Sequence, residues 1–316
     1  MNKKIILIIG YPAAGKTEAA KKYIEQGYHR LNRDEIGGKL DDLVDHLEDL
    51  YKNKRATKFV MDNTYSTLKS RKSVIRWARD NNFEIECHWI DLDVGDALYN
   101  AVQRMINAYG RMLTPDQIKE SNDIGVYPPV VIYEIRKSFE APNVEEGFNK
   151  VVKIKFKREL DNSVYINRAI ILDYDGTLRK TKSGEKYPKS PDDIELLPNR
   201  TETLKKFQNQ GYLLLGASNQ SFVSKKVMTE QQAIDCFETT NDLLDLEIDY
   251  KFCPHPSYPQ ICYCRKPMPG MAVEFIEKYK LNPSNCIVVG DSKTDKTFAK
   301  RCGFQYSKPE DFFNET

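Results

Sequence analysis

The stretch "KIILIIGYPAAGKTEAAKKYIEQG" (residues 4–27) decides the fold. Its first seven residues are an apolar run of strand length, which marks a buried strand. The segment "GYPAAGKT" (10–17) follows without a break and satisfies G-x-x-x-x-G-K-[ST]. Gly10 and Gly15 would let backbone N–H groups curl around phosphate oxygens, and the helix that follows adds the positive end of its dipole. Lys16 is placed to neutralise β- and γ-phosphate charge, and Thr17 to ligate Mg²⁺. Eight residues can match by chance, but strand, loop and helix appear here in the required order. The expectation is an ATP site at the edge of a parallel α/β sheet.

The same rhythm continues. "TKFVMD" (57–62), "FEIECHWIDL" (83–92) and "VVKIKF" (151–156) read as further strands, separated by helical patterns. Leu40, Leu43, Val44, Leu47, Leu50 and Tyr51 recur at the three- and four-residue spacing of one helix face. Lys153, Lys155 and Lys157 alternate with apolar residues, as in an edge strand with one wet face. A second alternating series opens at "AIILD" (169–173) and runs through "GYLLLGASN" (211–219), "IDYKFCP" (248–254) and "NCIVVGDS" (285–292). The fold class expected is α/β with two domains, 1–160 and 161–316, each a parallel sheet flanked by helices. A chain of 316 residues is long enough for two separate cores.

Composition is that of an ordinary globular protein, 40% hydrophobic and 30% charged, and the formal net charge of +2 points to no partner. No apolar run approaches the ~20 residues that span a bilayer, so no membrane association is expected. The lysines before "IILIIG" resemble a signal peptide, but the run passes into "GYPAAGKT" with no small-residue cleavage pattern. Seven cysteines divide into three candidate metal ligands and four core residues, which suits a reducing cytoplasm.

Three further elements of the first half carry chemistry. "LNRDE" (31–35) holds Asp34, eighteen residues after Lys16, and on its own could present no more than a surface carboxylate. "MDNT" (61–64) puts Asp62 at the end of a strand, where ligands sit in open α/β sheets, although a helix cap or turn would place an aspartate there too. "QRMINAYGRMLTP" (103–115) offers Arg104 and Arg111 in a helix–loop segment. Together with Arg71, nine residues beyond Asp62, the series resembles the kinase domain of polynucleotide 5′-hydroxyl kinases over roughly residues 1–120. The resemblance implies that Asp34 is the general base for the attacking hydroxyl, that Asp62 belongs to the nucleotide site and that Arg104 or Arg111 is a lid arginine over the phosphates.

In the second half, "LDYDGTL" (172–178) sets Asp173 and Asp175 two residues apart on one side of an extended chain. This resembles the first motif of the haloacid-dehalogenase phosphatases, and Ser218 of "GASNQ", Lys266 of "CRKP" and Asp291 of "VVGDSKTD" follow in the family's order. The resemblance implies a Rossmann-like phosphatase fold with Asp173 as nucleophile and Asp175 as acid/base. It further implies Ser218 and Lys266 at the phosphoryl group, with Mg²⁺ held by Asp173, the backbone carbonyl of Asp175 and Asp291, and Asp295 in support. "FCPHPSYPQICYCRKP" (252–267) contains Cys253, His255, Cys262 and Cys264, a Cys₃His set suited to structural Zn²⁺; disulfides or buried thiols are the alternatives. The loop is similar to those of zinc-containing histidinol-phosphate and heptose-bisphosphate phosphatases. That branch lies near the phosphatase domains of polynucleotide kinase-phosphatases. A kinase followed by a phosphatase resembles the bacteriophage type of end-healing enzyme, which implies nucleic-acid ends and ATP as substrates and a ligase as a possible partner. Turnover of small sugar or metabolite phosphates is the alternative.

Overall fold

Five parallel strands build the first sheet: β1 (Lys4–Ile9), β2 (His29–Leu31), β3 (Lys58–Asp62), β4 (Glu84–Asp91) and β5 (Lys150–Lys155), in the order β2-β3-β1-β4-β5. The structure, a computed structural model, describes residues 3–259 and 262–314. Ile5 to Ile9 are each at most 1% exposed, so β1 is covered on both faces, which is why its sequence does not alternate. On one face, Ile5, Leu7 and Ile9 pack with Phe59, Met61 and Ile85 against Val74, Trp77 and Ala78 of the helix Leu68–Asp80. The helix Leu43–Lys54 adds Leu43 and Leu47 to the same core, with Leu40, Val44, Leu50 and Tyr51 at its margin. β5 lies at the sheet edge, and Lys153 there pairs with Asp91 at 2.9 Å.

The second sheet is again parallel: β6 (Ala169–Leu172), β9 (Leu213–Asn219), β10 (Asp249–Cys253), β11 (Ile287–Val289) and β12 (Gln305–Ser307), in the order β10-β9-β6-β11-β12. Between β6 and β9 the chain inserts an antiparallel pair, β7 (Arg179–Thr181) and β8 (Ile194–Leu196). β2, β7, β8 and β12 are three residues each and carry no apolar run, so the sequence pattern did not reveal them.

By its internal contacts the chain divides into two units. Residues through Ala101, with Asn122–Arg158, form the first; Val102–Ser121, with the residues from Glu159 on, form the second. The segment 102–121, counted with the first half in the sequence reading, thus groups with the second unit, and the helix Val94–Tyr109 contributes to both.

One arginine braces the first unit. Arg71 has no exposed surface; its Nε and Nη2 donate to the two carboxylate oxygens of Glu146, each at 2.7 Å, and its Nη1 to the carbonyls of Tyr65 and Glu140 at 3.0 Å. The residue that accompanied the motif at Asp62 in sequence is therefore a structural tie between the helix Leu68–Asp80 and the short turn Val144–Glu146. Removing one partner of a buried, fully bonded ion pair typically costs about 3–5 kcal/mol. Arg71→Met is expected to lower the unfolding free energy of the first unit by that amount in urea titration, and an unchanged midpoint would show that the pair is not a brace.

Candidate functional sites

The first site is built on the loop after β1. Gly15 sits at φ +83° with open space around its missing Cβ, so backbone conformation requires glycine there. Ala13 shares the left-handed region at φ +59°, and its carbonyl accepts from Asn100 Nδ2 at 2.9 Å. A Cβ on Gly10 would come within 3.1 Å of the Ile90 carbonyl oxygen. Lys16 Nζ folds back over the loop and donates to the carbonyls of Gly10 (3.2 Å) and Tyr11 (2.8 Å). Thr17 opens the helix Lys16–Glu25 and donates to Asp62 Oδ2 at 3.1 Å. In-register pairing of Ile8 with Asp62 brings β3 to that position.

Asp62 is buried, 2% exposed, and Arg30 grips it with a two-pronged fork, Nε to Oδ1 at 2.9 Å and Nη2 to Oδ2 at 2.8 Å. It caps no helix; the next helix is capped by Thr67. The two neighbouring motifs are stitched to one another. Asn32 Nδ2 donates to the Asp62 carbonyl at 2.8 Å, while the Arg33 backbone N–H donates to Asn63 Oδ1 at 2.9 Å. Asn32 also caps the turn Arg33–Ile36, accepting from the Asp34 N–H at 2.8 Å. The Asp34 carboxylate is half exposed and pairs with Arg33 at 2.7 Å, open to an incoming group.

Arg104 lies exposed on the helix Val94–Tyr109, and Arg111, also exposed, donates to Gln117 Oε1 at 3.1 Å; both fall in the segment that groups with the second unit. Within the first unit, Arg30 reaches the loop at Thr17, and the charge of Arg136 acts on Tyr11. The Tyr11 ring packs on Phe139 at 5.4 Å, and burial raises the Tyr11 phenol pKa against the opposing charge of Arg136. Neither arginine belongs to a motif: Arg30 arrives through the pairing of β2 with β3, and Arg136 is carried by the helix Val130–Ser138.

The second site collects groups from the carboxyl ends of adjacent parallel strands. After β6 the chain stays extended, so Tyr174 turns into the core, fully buried with its hydroxyl on Asn241 Oδ1 at 2.9 Å, while Asp173 and Asp175 share the other side. Gly176, at φ +78°, makes the turn; a Cβ there would run into Asp291 Oδ2. Asp175 is held at both oxygens, by Arg179 Nε at 2.8 Å and Gln220 Nε2 at 3.0 Å, and Gln220 Nε2 also reaches Ser218 Oγ at 3.1 Å. Arg179 is itself buried and donates to Thr240 Oγ1 at 2.7 Å and to the Cys236 carbonyl.

Lys266, 4% exposed, lies between Asp173 (3.0 Å) and Asp295 (2.6 Å). Its backbone is clamped by the Asn219 side chain, which accepts from the Lys266 N–H at 2.9 Å and donates to its carbonyl at 3.0 Å. Burial acts to lower the lysine pKa, but attraction to Asp173 and Asp295 outweighs it and leaves it raised. Asp173 is pushed up to about 6 by burial, opposed by Lys266 and reinforced by Asp295 and Asp175. Asp291 moves the same way, through burial and then Asp295. Sequence reasoning did not single out Asn219, Gln220 or Arg179, although the first two stand inside the quoted "GASNQ" segment.

Among the described residues, two groups of side chains could hold a metal ion. Asp173, Asp291 and Asp295 bring carboxylate oxygens within 4.8 Å of one another. Three carboxylates facing one ammonium leave two negative charges uncompensated, which fits a hard divalent cation such as Mg²⁺. The Asp175 carboxylate, already bonded twice, is not in the cluster, whereas Asp295 is.

Cys253, His255, Cys262 and Cys264 form the second cluster, again within 4.8 Å. The sulfurs of Cys253 and Cys262 stand 3.6 Å apart, and His255 Nδ1 is 3.5 Å from Cys253 Sγ and 3.2 Å from Cys264 Sγ. A disulfide would bring the sulfurs to about 2.05 Å. Two thiolates on one tetrahedral zinc, at bond lengths of about 2.3 Å, stand about 3.8 Å apart. The spacing fits the metal and excludes the bond; all seven cysteines are free and buried.

Residues 5–117 match the AAA domain family and residues 168–313 the family described as polynucleotide kinase 3 phosphatase. A probable D-glycero-D-manno-heptose-1,7-bisphosphate 7-phosphatase of Thermoplasma volcanium is 31% identical over 140 residues, 42% of this chain and 92% of that protein. The bifunctional polynucleotide phosphatase/kinase of Schizosaccharomyces pombe is 30% identical over 157 residues, 49% of this chain but only 34% of that protein. Among solved structures, the D,D-heptose 1,7-bisphosphate phosphatase of B. bronchiseptica, complexed with magnesium and phosphate, matches 45% of this chain and 79% of its own at 24% identity and a TM-score of 0.40. Residues 168–313 belong to the polynucleotide kinase 3 phosphatase family, and the AAA domain that precedes them carries the P-loop.

Proposed function

We propose that this protein heals nucleic-acid ends, phosphorylating 5′-hydroxyls with ATP and removing 3′-phosphates, so that a ligase can join them. The observation that carries the reading is the family match of residues 168–313 behind a P-loop unit. The heptose-phosphatase relatives favour small-molecule turnover for the second unit alone and leave the first without a role. No helix among the described residues is long and apolar enough to cross a membrane. Free buried thiols accord with a cytoplasmic setting.

In the kinase reaction the loop from Gly10 to Thr17 receives the ATP phosphates, with Lys16 turning from its carbonyls onto the β- and γ-phosphates. Asp34 takes the proton of the 5′-hydroxyl as that oxygen attacks the γ-phosphorus and the bond to the β-phosphate oxygen breaks. Thr17 and Asp62 would hold the magnesium of the nucleotide, which neutralises charge on the departing diphosphate. Arg104 or Arg111 as a lid residue remains part of this reading, and Arg136 beside Tyr11 is a third candidate.

In the phosphatase reaction an Asp173 oxygen attacks phosphorus and the 3′-oxygen leaves with a proton from Asp175. Asp175 then accepts a proton from the water that cleaves the aspartyl-phosphate. Arg179 and Gln220 position Asp175, and Ser218 and Lys266 bind the phosphoryl oxygens. Asp173, Asp291, Asp295 and the Asp175 carbonyl would hold Mg²⁺, whose charge allows an anionic carboxylate to approach an anionic phosphate. Cys253, His255, Cys262 and Cys264 would hold Zn²⁺ and fix the loop bearing Lys266.

The deciding experiment incubates an oligonucleotide carrying a 5′-hydroxyl and a 3′-phosphate with Mg²⁺ and ATP. Both ends should change. Asp34→Ala should slow only the 5′ reaction by about a hundredfold or more, and Asp173→Asn should abolish only the 3′ reaction. Hydrolysis of a generic phosphate ester with both nucleic-acid ends left intact would refute end healing. Cys262→Ser should drop zinc from about one per chain to near zero, with an earlier thermal transition; unaltered metal content would refute the zinc assignment. Asn219→Ala, which frees the Lys266 backbone, should reduce 3′-phosphatase kcat about tenfold at constant 5′-kinase rate, and equal loss of both would mean general misfolding.

A further inference from the structure

Arg30 stands in the kinase-like site although no motif includes it. Its fork occupies both oxygens of Asp62, at 2.9 and 2.8 Å, and its Nη2 lies 3.5 Å from Thr17 Oγ1. Its remaining terminal nitrogen, Nη1, pairs with Glu35. The Asp62 side chain has no exposed surface and Arg30 is 17% exposed, whereas Glu35 is 63% exposed. One guanidinium therefore bridges an inner carboxylate and an outer one.

We propose that Arg30 is a tethered cation that competes with nucleotide-bound magnesium for Asp62, shifting its hold toward Glu35 as the metal nucleotide enters. The proposal rests on the kinase reading. A carboxylate buried as deeply as Asp62 needs a cation beside it, and Arg30 supplies one. Magnesium demands near-ideal octahedral geometry and direct use of oxygen lone pairs, and Asp62 and Thr17 offer adjacent oxygens at the loop. Both Asp62 oxygens already accept from the fork, and Thr17 spends its proton on the same carboxylate. A divalent ion and a guanidinium on the same carboxylate face repel each other. Glu35 resolves the conflict, because a guanidinium displaced from Asp62 stays paired. Glu35 also neighbours Asp34 on the turn Arg33–Ile36, so the shift would transmit metal binding to the residue that takes the proton.

The test is calorimetric binding of a non-hydrolysable ATP analogue across a magnesium titration, with thermal melting as a check on folding. Arg30→Gln should lower the magnesium concentration for half-maximal binding at least fivefold. Glu35→Gln, an exposed substitution that should not disturb folding, should raise it at least twofold, because Arg30 then has only Asp62. A magnesium requirement that is unchanged or raised in Arg30→Gln, or unchanged in Glu35→Gln, would overturn the proposal and make Arg30 a fixed brace. Absence of analogue binding by the wild-type protein at every magnesium level would instead refute the nucleotide reading on which the proposal stands.

Discussion

Parallel pairing of the central strands is the constraint from which both units follow. A parallel strand cannot be reached by a tight hairpin, so each crossover must pass over a face of the sheet and cover it. All strands then end on the same edge, and the backbone groups, helix starts and loops at that edge are free to bind ligands. In the first unit this edge carries the loop after β1, Asp62 at the end of β3 and the turn with Asp34 after β2. In the second it carries Asp173 after β6, Ser218 and Asn219 on β9, Cys253 on β10 and Asp291 after β11. Two sequences with no repeat between them reach the same solution because the geometry of parallel pairing leaves few others.

What differs is how each edge balances charge. The first uses two-pronged arginine forks, Arg30 on Asp62 and Arg71 on Glu146, whereas in the second Arg179 holds Asp175 through a single nitrogen. A guanidinium keeps its charge whatever the burial, so these pairs persist at any physiological pH. The second uses a lysine, a point charge that must be held at a fixed height between Asp173 and Asp295. That demand explains the effort spent on its backbone: the Asn219 clamp on one side and the Cys–His cluster two residues upstream on the other.

Much of this was legible in the sequence. The long strands announced themselves as apolar runs, and the loop at 10–17 and the aspartates of 172–178 carried spacing that few other structures would require. The Cys₃His set was legible because thiols at such short spacing have few other uses. Four short strands escaped, since three residues are too few for periodicity to register. Arg71 was associated with the kinase pattern by its distance from Asp62, but its partner Glu146 lies 75 residues away, and no local signal joins them. Arg30 and Asn219 were invisible for the same reason, since Asp62 and Lys266 are distant in sequence; Arg179 reaches Asp175 only four residues away, but its other partners lie on the remote helix Glu230–Leu244. The segment 102–121 continues a helix begun in the first unit, so its grouping with the second left no mark in composition.

Gly176 and Gly290 flank the acidic cluster from below. A methyl group at the first would strike Asp291, and at the second would fall within 2.5 Å of Asp295 Cγ. An aspartate exchanged for asparagine would keep its volume and backbone. The two glycines cannot change at all without displacing a carboxylate, since even alanine adds an atom where an oxygen or carbon already stands. Inheritance of a working phosphatase is thus written as much in two absent side chains as in the charged ones. A side chain at either position would disturb the carboxylates even with every aspartate kept.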